Sequence, residues 1–356
     1  MLVTGAGGSI GSEICRQVLR YGPKELQLLD QAENPIFHLQ RELSQKSNGT
    51  PLVPLIGNVS NADRIGRIIA EHQPEIIFHA AAHKHVPLME QNPSEAVRNN
   101  ILGSRTVADL AHEHGVEAFV MISTDKAVNP TSVMGASKRM AEMYVQSLAE
   151  HSKTRFVTVR FGNVLGSEGS VVPLFKEQIA RGGPVMVTHP EMKRYFMTIP
   201  EASQLVLQSA TMGEGGEIFI LEMGAPIKIV NLARDLIRLS GYQPDKEIAI
   251  EFSGMRPGEK LYEEINLGSE KAQKTKHPRI WTGKHRQLDH KSASKLVDEL
   301  VAMIPNAEIA TVIAALARCV PEYVPETKKP AEAQALPAEE SQHAKTPSLQ
   351  SVRATR

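Results

Sequence analysis

The first nineteen residues constrain the fold more than any other stretch of this chain. The apolar run Met1-Leu2-Val3 leads into Thr4-Gly5-Ala6-Gly7-Gly8-Ser9-Ile10-Gly11, and Ile14, Val18 and Leu19 follow at helical spacing. The glycines therefore sit in a turn between a strand and a helix. Gly5 permits the tight turn, Gly8 lets backbone N–H groups approach a pyrophosphate, and Gly11 lets helix and strand pack closely. A lone glycine triplet is a weak signal, but here Asp30 follows at the end of a second apolar run, Leu26-Gln27-Leu28-Leu29. A carboxylate at that place accepts hydrogen bonds from an adenosine ribose and repels a 2′-phosphate, which favours NAD over NADP.

The alternation continues. Apolar runs of strand length at 52–56, 76–78, 119–122 and 156–160 are separated by amphipathic segments, the mark of a parallel sheet with helices on both faces. The expected fold is α/β, a doubly wound parallel sheet of Rossmann type over residues 1–161. After Phe161 the chain is punctuated by Gly162, Gly166, Gly169, Pro173, Gly182-Gly183-Pro184 and Pro190. Such insertions cap the crevice at the carboxyl ends of the strands, so 162–324 are expected to form a smaller substrate-binding lobe interleaved with the last sheet strands. Helical spacing returns at 201–212, 229–240, 292–303 and 307–317. Residues 325–356 have almost no large apolar side chains and are expected to be a disordered tail.

Lys plus Arg and Asp plus Glu are 40 each, which excludes a global basic field for nucleic acid or an acidic membrane surface. A small anionic ligand then needs a local positive site. Cys15 and Cys319 make neither a disulfide framework nor a metal pattern, which fits a reducing cytoplasm. The first strand begins at Met1, so the expectation is a catalytic domain cut from a longer protein, compatible with a preceding inner-membrane segment and a domain facing the cytoplasm. His79, His83 and His85 lack an H-E-x-x-H arrangement and no metal is expected. His79-Ala80-Ala81-Ala82 instead offers small side chains against which a cofactor can lie, and Asn58 is placed to meet adenine.

Lys138 lies one helical turn after Met134, on the same face of a predicted helix over 132–151. This spacing resembles the Tyr-x-x-x-Lys of the short-chain dehydrogenase/reductase superfamily, with Thr124 in the place of its Ser or Thr and Met134 in place of the tyrosine. A thioether is no base, and taken alone Met134 reads as a core residue in a stripe with Met140, Tyr144 and Leu148. Thr124-Asp125-Lys126 changes that reading, because it resembles the Thr-Asp-Glu of nucleotide-sugar 4,6-dehydratases with the base carboxylate exchanged for an amine. With Asn163-Val-Leu-Gly-Ser167, Gly169-Ser-Val-Val-Pro173 and Arg256-Pro-Gly-Glu-Lys260, residues 1 to about 320 resemble the catalytic domain of the CapD-like polysaccharide-biosynthesis family. The resemblance is to its UDP-N-acetylglucosamine 4,6-dehydratases that carry Met for Tyr.

The resemblance implies an extended short-chain dehydrogenase/reductase fold that holds NAD through Gly5, Gly8, Ser9, Ile10, Gly11, Asp30, Asn58, Val59, Ala80, Ala81, Ala82, Asn99 and Lys138. It implies oxidation at C4 of the sugar, then removal of the C5 proton by Lys126, an amine whose pKa burial would depress. Asp125, protonated in a crowded site, would give its proton to the departing C6 hydroxyl. Thr124 would bond the C4 oxygen, and the acceptor of the C4 hydroxyl proton stays open among Asp125, Lys138 and water. Arg256, Glu259, Asn163, Ser170 and Val171 are expected to hold uridine diphosphate, with Lys84 and His85 beside the sugar. The expected product is the 4-keto-6-deoxy sugar of xylo configuration, C5 retained, for surface polysaccharide or glycan assembly. Helices over 99–114 and 132–151 pair across a two-fold axis in this superfamily, so a homodimer or higher homo-oligomer is expected. The rival readings are a nucleotide-sugar 4-epimerase, which needs no acid–base pair for C5 and C6, and a non-catalytic NAD-binding sensor, suggested by the missing tyrosine.

Overall fold

The computed structural model describes residues 1–265, 272–283 and 288–325, so the expected tail lies outside the described residues from 326 onward. Strands β1 (Leu2–Thr4), β2 (Leu26–Asp30), β3 (Leu52–Ile56) and β4 (Ile76–His79) alternate with helices α1 (Ser9–Leu19), α2 (Glu33–Ser44) and α3 (Ala62–His72). Side-chain chemistry sets helix ends: Asn61 caps α3 by accepting the Arg64 N–H at 3.0 Å, and Gln73 closes it in the left-handed region at φ 43°. After β4 come α4 (Val86–Gln91) and α5 (Pro93–Ala96), then a π-helical turn, Val97–Leu102, that runs into α6 (Gly103–Glu113).

Sequence spacing predicts an uninterrupted helix over 99–114, and the π turn is a departure from it. It carries Asn100, whose side chain accepts the His83 N–H at 2.8 Å and donates to His83 O and Ser137 Oγ, each at 3.0 Å. Wide turns of this kind re-aim side chains at functional sites. Strand β5 (Ala118–Thr124) ends in a 3₁₀ turn, Asp125–Ala127, before α7 (Val133–Ala149), and Ser132 caps α7 by accepting the Gly135 N–H at 3.1 Å. Strand β6 (Arg155–Phe161) follows.

Later residues contribute β7 (Asn163–Leu165), α8 (Val171–Ala180), β8 (Val185–Val187), β9 (Lys193–Arg194), β10 (Phe196–Thr198), α9 (Ile199–Met212) and β11 (Ile218–Leu221). They continue with β12 (Ile227–Lys228), α10 (Ile229–Leu239), β13 (Ile250–Phe252), β14 (Gln273–Lys274), β15 (Ile280–Gly283), α11 (His290–Met303) and α12 (Ile309–Cys319). The main sheet has the order β14-β15-β11-β6-β5-β4-β1-β2-β3, with β15 antiparallel to both neighbours and the remaining pairs parallel. It is the doubly wound α/β sheet that the sequence predicts. Its strand order reverses between β1 and β4, which opens a crevice at their carboxyl ends. β7 with β10, β8 with β13 and β9 with β12 form three separate two-stranded pairs.

Period-two alternation divides the core between the two faces of the sheet. Val3, Leu28, Phe78, Val120 and Val157 pack with Ile14, Leu39 and Val206 from α1, α2 and α9. Leu2, Leu29, Ile77, Phe119 and Phe156 pack with Ile65, Val107 and Val145 from α3, α6 and α7.

A third cluster gathers on α7. Helix α7 is buried from Val133 through Leu148. Its Met140 and Tyr144 lie under Val297 and Leu300 of α11 and Val312 and Leu316 of α12. The apolar stripe of α7 is covered by the chain's own helices α11 and α12. No helix of the described residues is long and apolar enough to cross a membrane.

Candidate active site

The crevice between β1 and β4 is a cleft of about 480 Å³ lined by Gly5, Gly8, Asp30, Gln31, Gly57, Val59, Ala80, Ala81, Ala82, His83 and Asn99. Gly5 has φ +67°, and a Cβ there would stand 2.6 Å from Ala81 N. A Cβ on Gly11 would stand 2.0 Å from Gly5 O, so only glycine lets α1 close on the turn. Asp30 shapes the same turn, its Oδ2 accepting the Gly7 N–H and its Oδ1 the Ala32 N–H, each at 3.0 Å. Walls of backbone and methyl groups with a carboxylate at the end of β2 have the chemistry of a dinucleotide cradle.

Five expected cofactor residues, Ser9, Ile10, Gly11, Asn58 and Lys138, do not line this cleft. Ser9 Oγ accepts the Glu168 N–H at 3.1 Å, and Ile10 packs against the core. Asn58 accepts the Ser60 N–H at 2.9 Å and donates to Gln31 Oε1 at 3.1 Å. His79 is buried beneath the cleft, bridging Thr4 Oγ1 at 2.8 Å and Ser104 Oγ at 3.0 Å. Burial, and next the Lys138 charge, hold its imidazole well below the ordinary range, to about 3, so it stays neutral.

A second cleft, of about 630 Å³, is lined by Lys84, His85, Val86, Pro87, Lys126, Thr131, Ser132, Arg194, Gly258, Glu259, Lys260 and Glu263. Lys126 stands at its centre, because β5 delivers Thr124 to the carboxyl edge of the sheet and the 3₁₀ turn presents the next two side chains. Lys126 Nζ donates to Asp125 Oδ1 at 3.0 Å, Asn163 Oδ1 at 3.0 Å and Glu263 Oε2 at 2.8 Å. Glu263 also takes Arg194 Nε on Oε1 at 3.0 Å. Thr124 Oγ1 donates to Asp125 Oδ1 at 2.9 Å and accepts the Lys126 N–H at 3.3 Å. Asp125 Oδ2 is buried with no hydrogen-bond partner among the described residues.

Burial, and next the charge of Glu263, raise the Asp125 carboxyl to about 7 against the pull of Lys126. Glu263 is held low, because Lys126, then the neighbouring Asp125 carboxyl, then Arg194 outweigh the cost of its burial. For Lys126 the expected depression of the pKa belongs to burial against bound cofactor and sugar, and the protein by itself gives the other direction. Burial does oppose its charge, but the carboxylates of Asp125 and Glu263 outweigh it and raise the pKa. Lys138 behaves in the opposite way: burial brings it to about 8 although Glu142 favours its charge, and its Nζ donates to Ile122 O at 2.8 Å.

Behind the 3₁₀ turn lies a buried ionic cluster that the sequence did not disclose. Ser123 Oγ donates to Glu142 Oε1 at 2.6 Å, and the same carboxylate accepts Arg160 Nε at 2.7 Å and Arg139 Nη1 at 3.2 Å. Arg139 Nη2 continues to Glu322 Oε1 at 3.2 Å.

Thr124, Asp125, Lys126 and Asn163 are thus brought into one hydrogen-bonded group, and Lys84, His85 and Glu259 line the cleft around it. Lys84 Nζ donates to Glu168 O at 2.8 Å, and the His85 ring lies so close to Gly169 that a Cβ there would meet it at 2.5 Å. Arg256 is exposed and does not line the cleft; its backbone N–H donates to Glu259 Oε2 at 3.2 Å. Ser170 caps α8 with its Oγ buried and unpartnered among the described residues, and Val171 begins that helix. Met134 is 3% exposed, packs in the cluster with Met89, Val97 and Met140, and lines neither cleft. Sequence reasoning missed Arg194, Lys260 and Glu263; the available signal was a further acidic pair, Glu263-Glu264, just beyond the Arg256-Pro-Gly-Glu-Lys260 motif.

A family profile described as polysaccharide biosynthesis protein matches residues 1–285. The capsular polysaccharide biosynthesis protein CapD of Staphylococcus aureus is 58% identical over 303 residues, which cover 85% of this chain and 50% of that protein. The chain thus spans about half the length of that relative. A UDP-N-acetylglucosamine 4,6-dehydratase (inverting) of Campylobacter jejuni is 35% identical over 268 residues, covering 74% of this chain and 76% of that enzyme. Among solved structures, Pen from Bacillus thuringiensis matches with a TM-score of 0.73 and 36% identity, covering 81% of this chain and 87% of that one.

Proposed function

The chain belongs to the polysaccharide biosynthesis protein family, and on that ground and the site geometry we propose that it dehydrates UDP-N-acetylglucosamine in the cytoplasm. The product is the UDP-linked 2-acetamido-2,6-dideoxy-4-ketohexose with C5 configuration retained, made for surface polysaccharide or glycan assembly. The observation that carries this reading is the Asp125–Lys126 pair, a carboxyl raised to about 7 and bonded at 3.0 Å to an amine. Loss of water across C5 and C6 needs one group to take a proton from carbon and another to give one to the leaving oxygen. An epimerase or a cofactor-binding sensor needs no such pair.

Residues 1–161 supply the dinucleotide cradle, and 162–324 supply Asn163, Arg194, Glu259 and Glu263 to the sugar-nucleotide cleft. NAD, when bound, supplies the hydride acceptor for C4 and the hydride donor for C6. With C4 oxidised, the C5 hydrogen becomes acidic. In the free protein Lys126 spends its donors on three oxygens and has no lone pair to offer. It becomes a base when one proton crosses to Asp125, giving a neutral amine beside a protonated acid. Lys126 then takes the C5 proton and Asp125 gives its own to the C6 oxygen, which leaves as water. After this elimination the pair is ammonium and carboxylate; Lys126 then returns a proton to C5 as C6 takes the hydride, and the proton released from the C4 hydroxyl restores the pair. Thr124 bonds the C4 oxygen, and Lys138 holds the ribose.

The test is incubation with UDP-N-acetylglucosamine and NAD in deuterated water, followed by NMR. Deuterium at C5 of a 6-deoxy-4-keto product is expected from the wild type. Lys126→Met should abolish C5 exchange while NAD stays bound. A C4 epimer as product would establish the epimerase instead, and unchanged substrate with bound NAD would establish the sensor.

A further inference from the structure

We propose that Glu263, clamped by Arg194, is a positioning residue that fixes the proton count of the Asp125–Lys126 pair and so sets the pH range over which the pair can act. This rests on the dehydratase reading above. Glu263 is buried, with one oxygen on Lys126 Nζ at 2.8 Å and the other on Arg194 Nε at 3.0 Å. It cannot turn away from either without breaking a charge-assisted hydrogen bond. The other charges facing the group are held elsewhere. Lys260 donates to Val128 O at 2.8 Å, Glu264 is half exposed beside Lys260, and Lys84 is engaged with Glu168 O at 2.8 Å. Glu263 is therefore the anion that bears directly on the pair.

Dehydration uses the pair carrying one proton, because the ammonium–carboxylate and amine–acid forms interconvert across a 3.0 Å hydrogen bond. With two protons, Lys126 is an ammonium beside a protonated acid and accepts nothing from C5. With none, no acid remains for the C6 oxygen. A fixed anion favours proton uptake on both members, so it moves both titrations to higher pH. Asp125 and Lys126 are each displaced upward with Glu263 among the causes, after burial in the first and against burial in the second. Arg194 opposes this, as a cation that lowers the Lys126 pKa.

The test compares kcat/KM against pH for wild type, Glu263→Gln, Glu263→Asp and Arg194→Gln, since kcat/KM reports the free enzyme's acid and base. Glu263→Gln should move both limbs to lower pH by about one unit or more. Glu263→Asp should restore them, and Arg194→Gln should move them the opposite way. Limbs that stay in place while the height of the profile falls would overturn the proposal, as that is the signature of structural damage alone. A readout without substrate separates this proposal from the dehydratase reading: the ¹³C titration of the Asp125 carboxyl, assigned with Asp125→Asn. Its midpoint should fall in Glu263→Gln and rise in Arg194→Gln, and an unchanged midpoint in both folded variants refutes the charge coupling. Correct titrations in a wild type that forms no 4-keto product would sustain the coupling and remove the dehydratase reading.

Discussion

Replacing Glu142 by Gln should destabilise the protein strongly at neutral pH and much less in acid. The Glu142 side chain is fully buried between Arg160 and Arg139 and accepts the Ser123 hydroxyl at 2.6 Å. Burial by itself would push its carboxyl up; Arg160, then Arg139 and Ser123, outweigh it and bring the pKa from 4.5 to about 2. That difference corresponds to about 3 kcal/mol favouring the charged form in the folded state. Because the folded value lies below the unfolded one, the stabilisation is complete above the unfolded pKa of 4.5 and disappears as pH falls through about 2. Glutamine keeps the shape but removes the charge from between two buried guanidinium groups, a change that costs about 3–5 kcal/mol. Urea unfolding followed by circular dichroism at pH 7 and pH 3 measures the gap between wild type and variant. From the same two pKa values, the gap should narrow by about 2 kcal/mol between these pH values. A loss below about 1 kcal/mol at pH 7, or an equal gap at both, would show that the cluster does not act through the ionised carboxylate.

Two further substitutions address the site itself. A Cβ on Gly135 would stand 2.2 Å from Lys126 O, so Gly135→Ala must push α7 and the Asp125–Ala127 turn apart. Turnover should fall about 100-fold or more while the circular dichroism spectrum stays native, since a displacement of order 1 Å is enough for such a loss. Wild-type turnover in that variant would mean that the turn absorbs the clash. Asp30→Ala should weaken NAD binding about 10- to 100-fold by titration calorimetry, the range expected for lost charge-assisted hydrogen bonds. Unaltered affinity would remove Asp30 from the ribose site.

The crevice between β1 and β4 was readable because its signals are local. The tight turn at Gly5, the close approach at Gly11 and the carboxylate ending β2 each depend on a few neighbouring residues, and the strand pattern set the sheet around them. Lys126 was harder. Its hydrogen-bond partner Glu263 lies 137 positions away, and no periodicity brings that residue or Arg194 to the end of β5. Burial alone does not set the Lys126 pKa in the protein by itself, because two carboxylates within hydrogen-bond reach outweigh it. The stripe on α7 was visible as an apolar face, but such a face is buried equally well by a second subunit or by the chain's own helices. Arg256 is exposed, and its motif neighbours Glu259 and Lys260 line the second cleft.

The enclosure of α7 also dictates an order of events during synthesis. Val133–Ala149 is made about 140 residues before α11 begins at His290. At about 5–20 residues per second, the helix waits roughly 7–30 s for its cover. Through that interval Met140 and Tyr144 have their earlier neighbours, Met89, Val97 and Asp109, but not the cover that α11 and α12 later supply. Any version of the chain ending at Gly283 would leave this part of α7 without the cover of α11 and α12 permanently.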